Sequence, residues 1–126
     1  MGRKWVVELN KTVEFPWKRG KYSIALQSVQ LENLNDVGIR SKLINICVSP
    51  KITDSTYLPN KIPVPAIKSY FVKGNKSIND YSECKEYVTI DLSGTDILDF
   101  YVLDIAGQPV PRLTGFLILD VQQHNV

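Results

Sequence analysis

The chain has 126 residues, of which 44% are hydrophobic and 22% charged, and its formal net charge is +2. This length fits one domain, which we expect over residues 1–126, and the composition is typical of a folded protein rather than a disordered or membrane-embedded one. Fifteen basic residues nearly balance thirteen acidic ones, which argues against the strong positive field of a nucleic-acid-binding protein.

The first two predicted strands lie close to the N-terminus, at residues 4–9 (KWVVEL) and 12–15 (TVEF). The segment 16–21 (PWKRGK) then predicts a turn, because Pro16 fixes φ and Gly20 can adopt a positive φ. The chain therefore begins with short strand-like runs separated by turn residues.

Residues 22–31 (YSIALQSVQL) form the clearest predicted strand. Apolar side chains alternate there with small or polar ones, as a half-buried strand requires. The polar segment 32–38 interrupts the pattern, and residues 42–48 (KLINICV) predict the next strand, which we expect to end at Pro50.

The segment 49–65 contains four prolines and has no clear hydrophobic period. Because proline cannot donate a hydrogen bond to a β-ladder, we predict a long surface connection or an edge there. Such a connection is the best local candidate for partner contact. Residues 66–72 predict a further strand, and residues 73–83 predict a polar loop.

Three more predicted strands complete the chain, at residues 86–92, 95–104 and 115–121. The total of eight strands with no convincing helix predicts an all-β fold, a sandwich or barrel. Strand counting leaves both a jelly roll and an immunoglobulin-like sandwich open. It also leaves open whether the last two strands pair directly or lie in opposite sheets.

The sequence contains no residue set that is typical of catalysis or metal binding. Its single histidine is His124, near the C-terminal end, and Cys47 and Cys84 lack metal-type spacing. We expect both cysteines to be buried or half-buried thiols in a reducing compartment, and the sequence leaves a disulfide between them open. The glycines form no phosphate-binding motif. Strand-associated carboxylates could form an acid–base pair or bind calcium, but solubility of the sheet faces explains them more simply. These carboxylates are Asp91, Asp96, Asp99, Asp104 and Asp120. We therefore predict no catalytic residue, metal or cofactor.

Two segments that we expect at the surface, the turn 16–21 and the proline-rich segment 49–65, supply the predicted partner contacts. Trp17 lies in the predicted turn and Tyr57 in the proline-rich segment, whereas most other aromatic residues fall within strand patterns, where core packing explains them. The basic residues beside Trp17 also fit a solvated loop. The predicted contact residues are Trp17, Lys18, Arg19, Tyr57, Leu58, Pro59, Ile62 and Pro63.

The sequence shows neither a typical signal peptide nor a membrane-spanning segment. The apolar run in MGRKWVVELNK spans three residues before Glu8, far short of the roughly 7–15 residues of a signal-peptide core. No apolar stretch approaches the about 20 residues that cross a bilayer. We therefore expect a protein of the cytosol, or of something assembled there, that does not bind a membrane.

Two stretches resemble the small capsid proteins of the polinton and virophage group. The stretch VELNKTVEFPWKRGKYSIALQSVQLEN is similar to the start of these proteins, and ILDFYVLDIAGQPVPRLTGFLILDV is similar to their end. Together the two stretches cover about half of the chain. The matching positions in the first are Gly20, Tyr22, Ile24, Ala25 and Leu26. The matching positions in the second are Asp104, Gly107, Pro109, Val110, Gly115 and the strand 116–121.

This resemblance implies a single jelly-roll antiparallel β-sandwich of about eight strands. It further implies a minor capsid or penton protein of an icosahedral double-stranded DNA virus, found in the virion and assembled in the cytoplasm or nucleus of the host cell. Such a protein would associate with itself, possibly as a pentamer, and pack against a major capsid protein with a double jelly roll. Penton proteins of the group often carry an insertion domain for which this chain has no room, so a cement role stays open.

Two other function classes remain as alternatives. A ligand-binding β-sandwich would recognise carbohydrate or peptide through Trp17, Tyr57 or Tyr81. An enzyme would need two of the strand-associated aspartates to converge in a pocket with perturbed pKa values.

Overall fold

The protein is described here by a computed structural model. It describes residues 3–34, 43–49, 56–71, 78–81, 86–92 and 97–123. These residues contain eleven β-strands and no helix, which confirms the all-β prediction. The strands are β1 (Arg3–Glu8), β2 (Lys11–Glu14), β3 (Lys21–Leu31), β4 (Leu43–Ser49), β5 (Thr56–Tyr57), β6 (Pro63–Val64), β7 (Ala66–Phe71), β8 (Ile78–Tyr81), β9 (Val88–Asp91), β10 (Ile97–Asp104) and β11 (Gly115–Gln123).

Two antiparallel sheets pack as a sandwich. Sheet 1 has the strand order β1-β11-β3-β8, and β9 pairs with another part of the long strand β3. Sheet 2 has the order β2-β10-β4-β7, while β5 and β6 form a separate two-stranded hairpin. The last two long strands, β10 and β11, therefore lie in opposite sheets, a choice that the sequence left open.

The core lies between the inner faces of the two sheets. Alternation along each strand turns one set of side chains inward, such as Leu117 and Leu119 from sheet 1 and Ile46 and Val102 from sheet 2, all fully buried. At one end, five aromatic rings pack edge to face with centroids 4.8–5.8 Å apart. These rings belong to Trp5, Phe15, Trp17, Tyr22 and Phe100.

The chain crosses from sheet 1 to sheet 2 within two residues. The Leu9 N–H donates to the Gly115 carbonyl at 2.9 Å, in sheet 1, and the Asn10 N–H donates to the Phe100 carbonyl at 2.7 Å, in sheet 2. Asn10 has φ near 60°, a left-handed conformation that asparagine tolerates better than most residues. This corner places β1 and β2 in different sheets although they are neighbours in the chain.

All eight predicted strands are present, and the structure adds three that the sequence did not predict. The predicted polar loop 73–83 is wrong over Ile78–Tyr81, which forms β8 because β3 offers it a hydrogen-bonding edge at Ser28–Leu31. The predicted connection 49–65 contains the β5–β6 hairpin, with Tyr57 opposite Pro63. In both segments the pairing partner, rather than the local pattern, determines the strand.

Candidate interaction surfaces

The β5–β6 hairpin folds back onto the outer face of sheet 2. Leu58 and Val64 are buried there against Cys47 and Ala66, and Tyr101 packs against the same cluster. This second small core lies on the side of sheet 2 that faces away from the main core. Residues 56–65 of the proline-rich segment therefore cover a sheet face rather than only connecting two strands; residues 50–55 lie outside the described residues.

Hydrogen bonds fix the turn of the hairpin. The Leu58 N–H donates to the Ile62 carbonyl at 3.0 Å, and the Lys61 N–H donates to the Leu58 carbonyl at 2.8 Å. The Asn60 side-chain amide donates to the Ala106 carbonyl at 3.2 Å, which joins the turn to the β10–β11 connection. The hairpin is thus held by its own turn, by sheet 2 and by this neighbouring loop.

The predicted contact residues of the hairpin divide into an exposed group and a buried one. Tyr57 is 71% exposed and Ile62 is 46% exposed, and both Pro59 and Pro63 lie at the surface. Leu58 is only 4% exposed, because it fills the small core under the hairpin. A partner that contacts this hairpin would therefore meet Tyr57, Ile62 and the two prolines.

The other predicted contacts lie at the aromatic end of the core. Trp17 is half-buried, its ring centroid 5.3 Å from that of Phe15, and the Arg3 guanidinium lies 5.4 Å from the Trp17 ring centroid. Lys18 and Arg19 are exposed. The structure thus gives Trp17 a packing role, which the sequence pattern of the turn did not indicate.

A further surface lies on sheet 1 and was missed by the sequence reasoning. Val6 of β1 is 60% exposed and Phe116 of β11 is 44% exposed, and Val6 lies directly opposite Ile118. Lys4 and Glu8 flank Val6 on the same outer face, since they lie two residues to either side. The alternation K-x-V-x-E was visible in the sequence, but its exposure depends on the position of β1 at the sheet edge.

The described strand-associated carboxylates make structural interactions. Asp120 is 3% exposed, accepts a hydrogen bond from the Tyr87 hydroxyl and lies 3.6 Å from the Lys4 ammonium. Asp104 Oδ1 accepts the backbone N–H groups of Ala106 and Gln108 at 2.9 Å, which fixes the turn after β10.

Asp99 Oδ1 accepts the Thr12 hydroxyl at 2.5 Å, and Asp91 is exposed. Asp96, Cys84 and His124 lie outside the described residues, and for Tyr81 only the backbone is described. Within the described ranges, no three His, Cys, Asp or Glu side chains group as metal ligands.

Cys47 is a free thiol buried in the small core under the hairpin. Burial raises its pKa to about 12, because the thiolate would lose its hydration there. The thiol is therefore protonated at neutral pH and is a poor nucleophile.

A groove at the corner between the sheets has a volume of about 480 Å³. The β10–β11 connection, from Pro111 to Gly115, forms one wall, and Glu8 and Lys11 lie on the other, where their side chains form an ion pair of 2.7 Å. Mutually paired charges on an open wall favour a solvated surface over a catalytic pocket.

Comparison with known proteins does not assign a family. No protein-family model matches the chain, and no curated protein matches it. Among the described residues, no helix is long and apolar enough to cross a membrane.

Proposed function

We propose that the protein is a non-enzymatic structural component of a virion: a single jelly roll that associates with itself and packs against a major capsid protein. The observation that supports this proposal most strongly is the order in which the strands pair. The hypothesis of a minor capsid or penton-like role comes from the sequence resemblance, and the fold is compatible with it.

Eight of the nine described strands in the two sheets pair as a nested series, and the ninth, β8, pairs with β3 beside β9. The first pairs with the last (β1 with β11), the second with the next to last (β2 with β10), and β3 with β9 and β4 with β7 follow the same rule. A long hairpin wound into two sheets produces this nesting, which is the arrangement expected of a double-sheet jelly roll. Capsid and lectin domains use that architecture.

The surface also favours an interaction role over chemistry. Val6 and Phe116 are exposed on the outer face of sheet 1, on the neighbouring strands β1 and β11. Exposed apolar residues that gather into patches mark contact sites, and the net charge of +2 would oppose close packing of copies only weakly.

The first test is the absolute mass in solution, measured by light scattering coupled to size exclusion over a range of salt concentrations. We expect a discrete species larger than the 14.3 kDa monomer, and a mass near five times that value would favour the vertex role. A monomer under every condition would contradict self-association. Co-sedimentation with a double-jelly-roll shell protein then tests the second half of the proposal.

A ligand-binding β-sandwich is a second candidate, which the exposure of Tyr57 favours. Tyr57 is 71% exposed and lies across the hairpin from Pro63, so its ring offers a flat surface for stacking on a sugar or a proline-rich peptide. The test is binding to a glycan and peptide panel. Tyr57→Ala should abolish a specific signal, whereas Phe71→Ala, at a residue 70% exposed on β7, should leave it unchanged.

A further inference from the structure

Among the described residues, strand β1 forms an open edge of sheet 1. Within the described part of the chain it pairs with β11 alone, over six residues that contain neither proline nor a bulge. By contrast, β2 has four residues, and the β4–β7 ladder contains a register shift. A regular edge strand is a template for another strand, unless the protein blocks it.

The hydrogen-bonding phase of β1 determines which residues face the open edge. The Leu9 N–H donates to the Gly115 carbonyl, in continuation of the register that places Glu8 opposite Phe116. In an antiparallel ladder, alternate residues direct both backbone groups to the same neighbour. Odd-numbered residues of β1 therefore bond to β11, and Lys4, Val6 and Glu8 direct their N–H and C=O groups to the open edge.

These same three residues carry a self-complementary pattern of side chains. If two copies pair antiparallel with Val6 opposite Val6, then Lys4 of each copy lies opposite Glu8 of the other. All three residues then form backbone hydrogen-bonded pairs, and both charge pairs are of opposite sign, which stabilises neighbours across strands. In the single copy the Lys4 ammonium lies 3.6 Å from Asp120 and donates to Gln27, and Glu8 pairs with Lys11 at 2.7 Å, so each side chain must share or exchange these partners when the copies pair. Sliding the register by two residues would place Lys4 opposite an apolar or uncharged residue and lose the charge match.

The apolar surface fits the same contact. Val6 is 60% exposed and would pack against its counterpart at the two-fold axis. On the inner face Trp5, which is half-buried, would lie opposite Val7 of the second copy. Sheet 1 of one copy would thereby join sheet 1 of the other into one continuous sheet, with the outer faces of both copies on the same side.

We propose that β1 is the self-association site, and that it pairs antiparallel with β1 of a second copy about a two-fold axis at Val6. This inference rests on the proposed function, since it names the contact by which the structural protein associates with itself. The occupant of the edge is a second copy of this chain, because the register matches Lys4 with Glu8 only when both strands have the same sequence pattern.

Charge reversal tests the register. Lys4→Glu and Glu8→Lys alone each place like charges opposite each other at two symmetric positions, so we expect each variant to associate at least ten-fold more weakly than the wild type. An equimolar mixture of the two variants restores opposite charges at both positions, as does the double variant. Both should recover association. Lys61→Glu, an exposed change in the hairpin turn, is the matched control and should have no effect.

Cross-linking gives a readout that does not depend on the charged residues. In a background with both native cysteines replaced by alanine, Val6→Cys should form a covalent dimer with a short bismaleimide, whereas Phe71→Cys on β7 should not. Circular dichroism establishes that each variant is folded.

The outcomes separate this inference from the proposed function. If the wild type associates but neither charge reversal weakens it, or the mixture fails to recover, the β1 contact is overturned and self-association stands on another surface. A five-copy ring has the same meaning, because a two-fold contact closes on two copies and does not build a ring of five. A wild type that remains monomeric overturns both.

Discussion

At the scale of single residues, two asparagine side chains hold the β10–β11 connection against the rest of the fold. The Asn10 amide donates to the Val110 carbonyl at 3.1 Å and to the Leu113 carbonyl at 2.8 Å. The Asn33 amide donates to the Arg112 carbonyl, and its carbonyl oxygen accepts the Thr114 N–H, both at 2.7 Å. These bonds replace the backbone ladder that an irregular segment lacks.

Replacing Asn10 should destabilise the fold through both its side chain and its backbone. Asn10→Ala loses two hydrogen bonds and places a Cβ at φ near 60°, so we expect a loss of about 2 kcal/mol in the free energy of unfolding. Asn10→Gly loses the bonds but tolerates the φ, so its loss should be about half as large. Urea denaturation measures both values. Equal losses in the two variants would contradict the prediction that backbone strain at φ near 60° adds to the loss in Asn10→Ala.

The buried thiol of Cys47 predicts a pH dependence. Its pKa is about 12 in the folded protein and near 9 when exposed, so the folded state binds the proton more tightly. The stabilisation is complete below pH about 9 and is lost as pH rises toward the folded pKa. Between pH about 9 and 10.5, the free energy of unfolding should therefore fall more steeply in the wild type than in Cys47→Ala. Parallel curves would show that the thiolate is tolerated.

At the scale of strands, Gly115 permits the close approach of β11 to β3. A Cβ at this position would lie 2.1 Å from the Gln30 carbonyl oxygen and 3.1 Å from the Leu31 Cα. Both are backbone atoms, so the strands must separate. We expect Gly115→Ala to lower the free energy of unfolding by about 3 kcal/mol or more. Gly107→Ala meets backbone strain at φ +83° but no close backbone atom, so it should lower the free energy of unfolding by about 1 kcal/mol. Thermal unfolding of both variants checks the order, and a reversed order would contradict it.

The β5–β6 hairpin should control access to Cys47. Leu58→Ala removes an apolar side chain from the small core between the hairpin and sheet 2, which favours detachment of the hairpin. In a Cys84→Ala background, this change should increase the rate at which a thiol reagent labels Cys47 by about ten-fold or more, while far-ultraviolet circular dichroism stays unchanged. Tyr57→Ala, at a residue 71% exposed, should leave the rate unchanged. Equal rates in all three proteins would show that labelling requires global unfolding.

How far the sequence predicted these elements depends on whether a strand carries its own pattern. The alternation of β3 and the apolar run of β11 predicted both strands, because burial of one face requires those residues. The β8 sequence INDY has no such pattern, and only its ladder with β3 makes it a strand. Likewise, the prolines of 49–65 indicated a surface segment, but the burial of Leu58 and Val64 requires knowledge of the sheet beneath them. The openness of β1 depends on strand order, which periodicity does not encode.

At the scale of the whole molecule, the nested pairing makes the two ends of the chain depend on each other. β11 lies between β1 and β3 in sheet 1 and contributes three buried side chains to the core, namely Leu117, Leu119 and Val121. The first strand of the sheet therefore has no hydrogen-bonded neighbour in the described structure until the last strand is in place. Such long sequence separation between partners is typical of slowly folding β-proteins.

This dependence predicts the effect of removing the last strand. A chain truncated after Thr114 loses the ladder partner of both β1 and β3, so sheet 1 separates into unpaired strands and the inner face of sheet 2 loses its cover. We expect no cooperative unfolding transition and no near-ultraviolet circular dichroism from the aromatic cluster. Phe116→Ala, which changes an exposed side chain of the same strand, should retain both signals. A truncated chain that still unfolds cooperatively would mean that sheet 2 and the β5–β6 hairpin form a stable unit without β11.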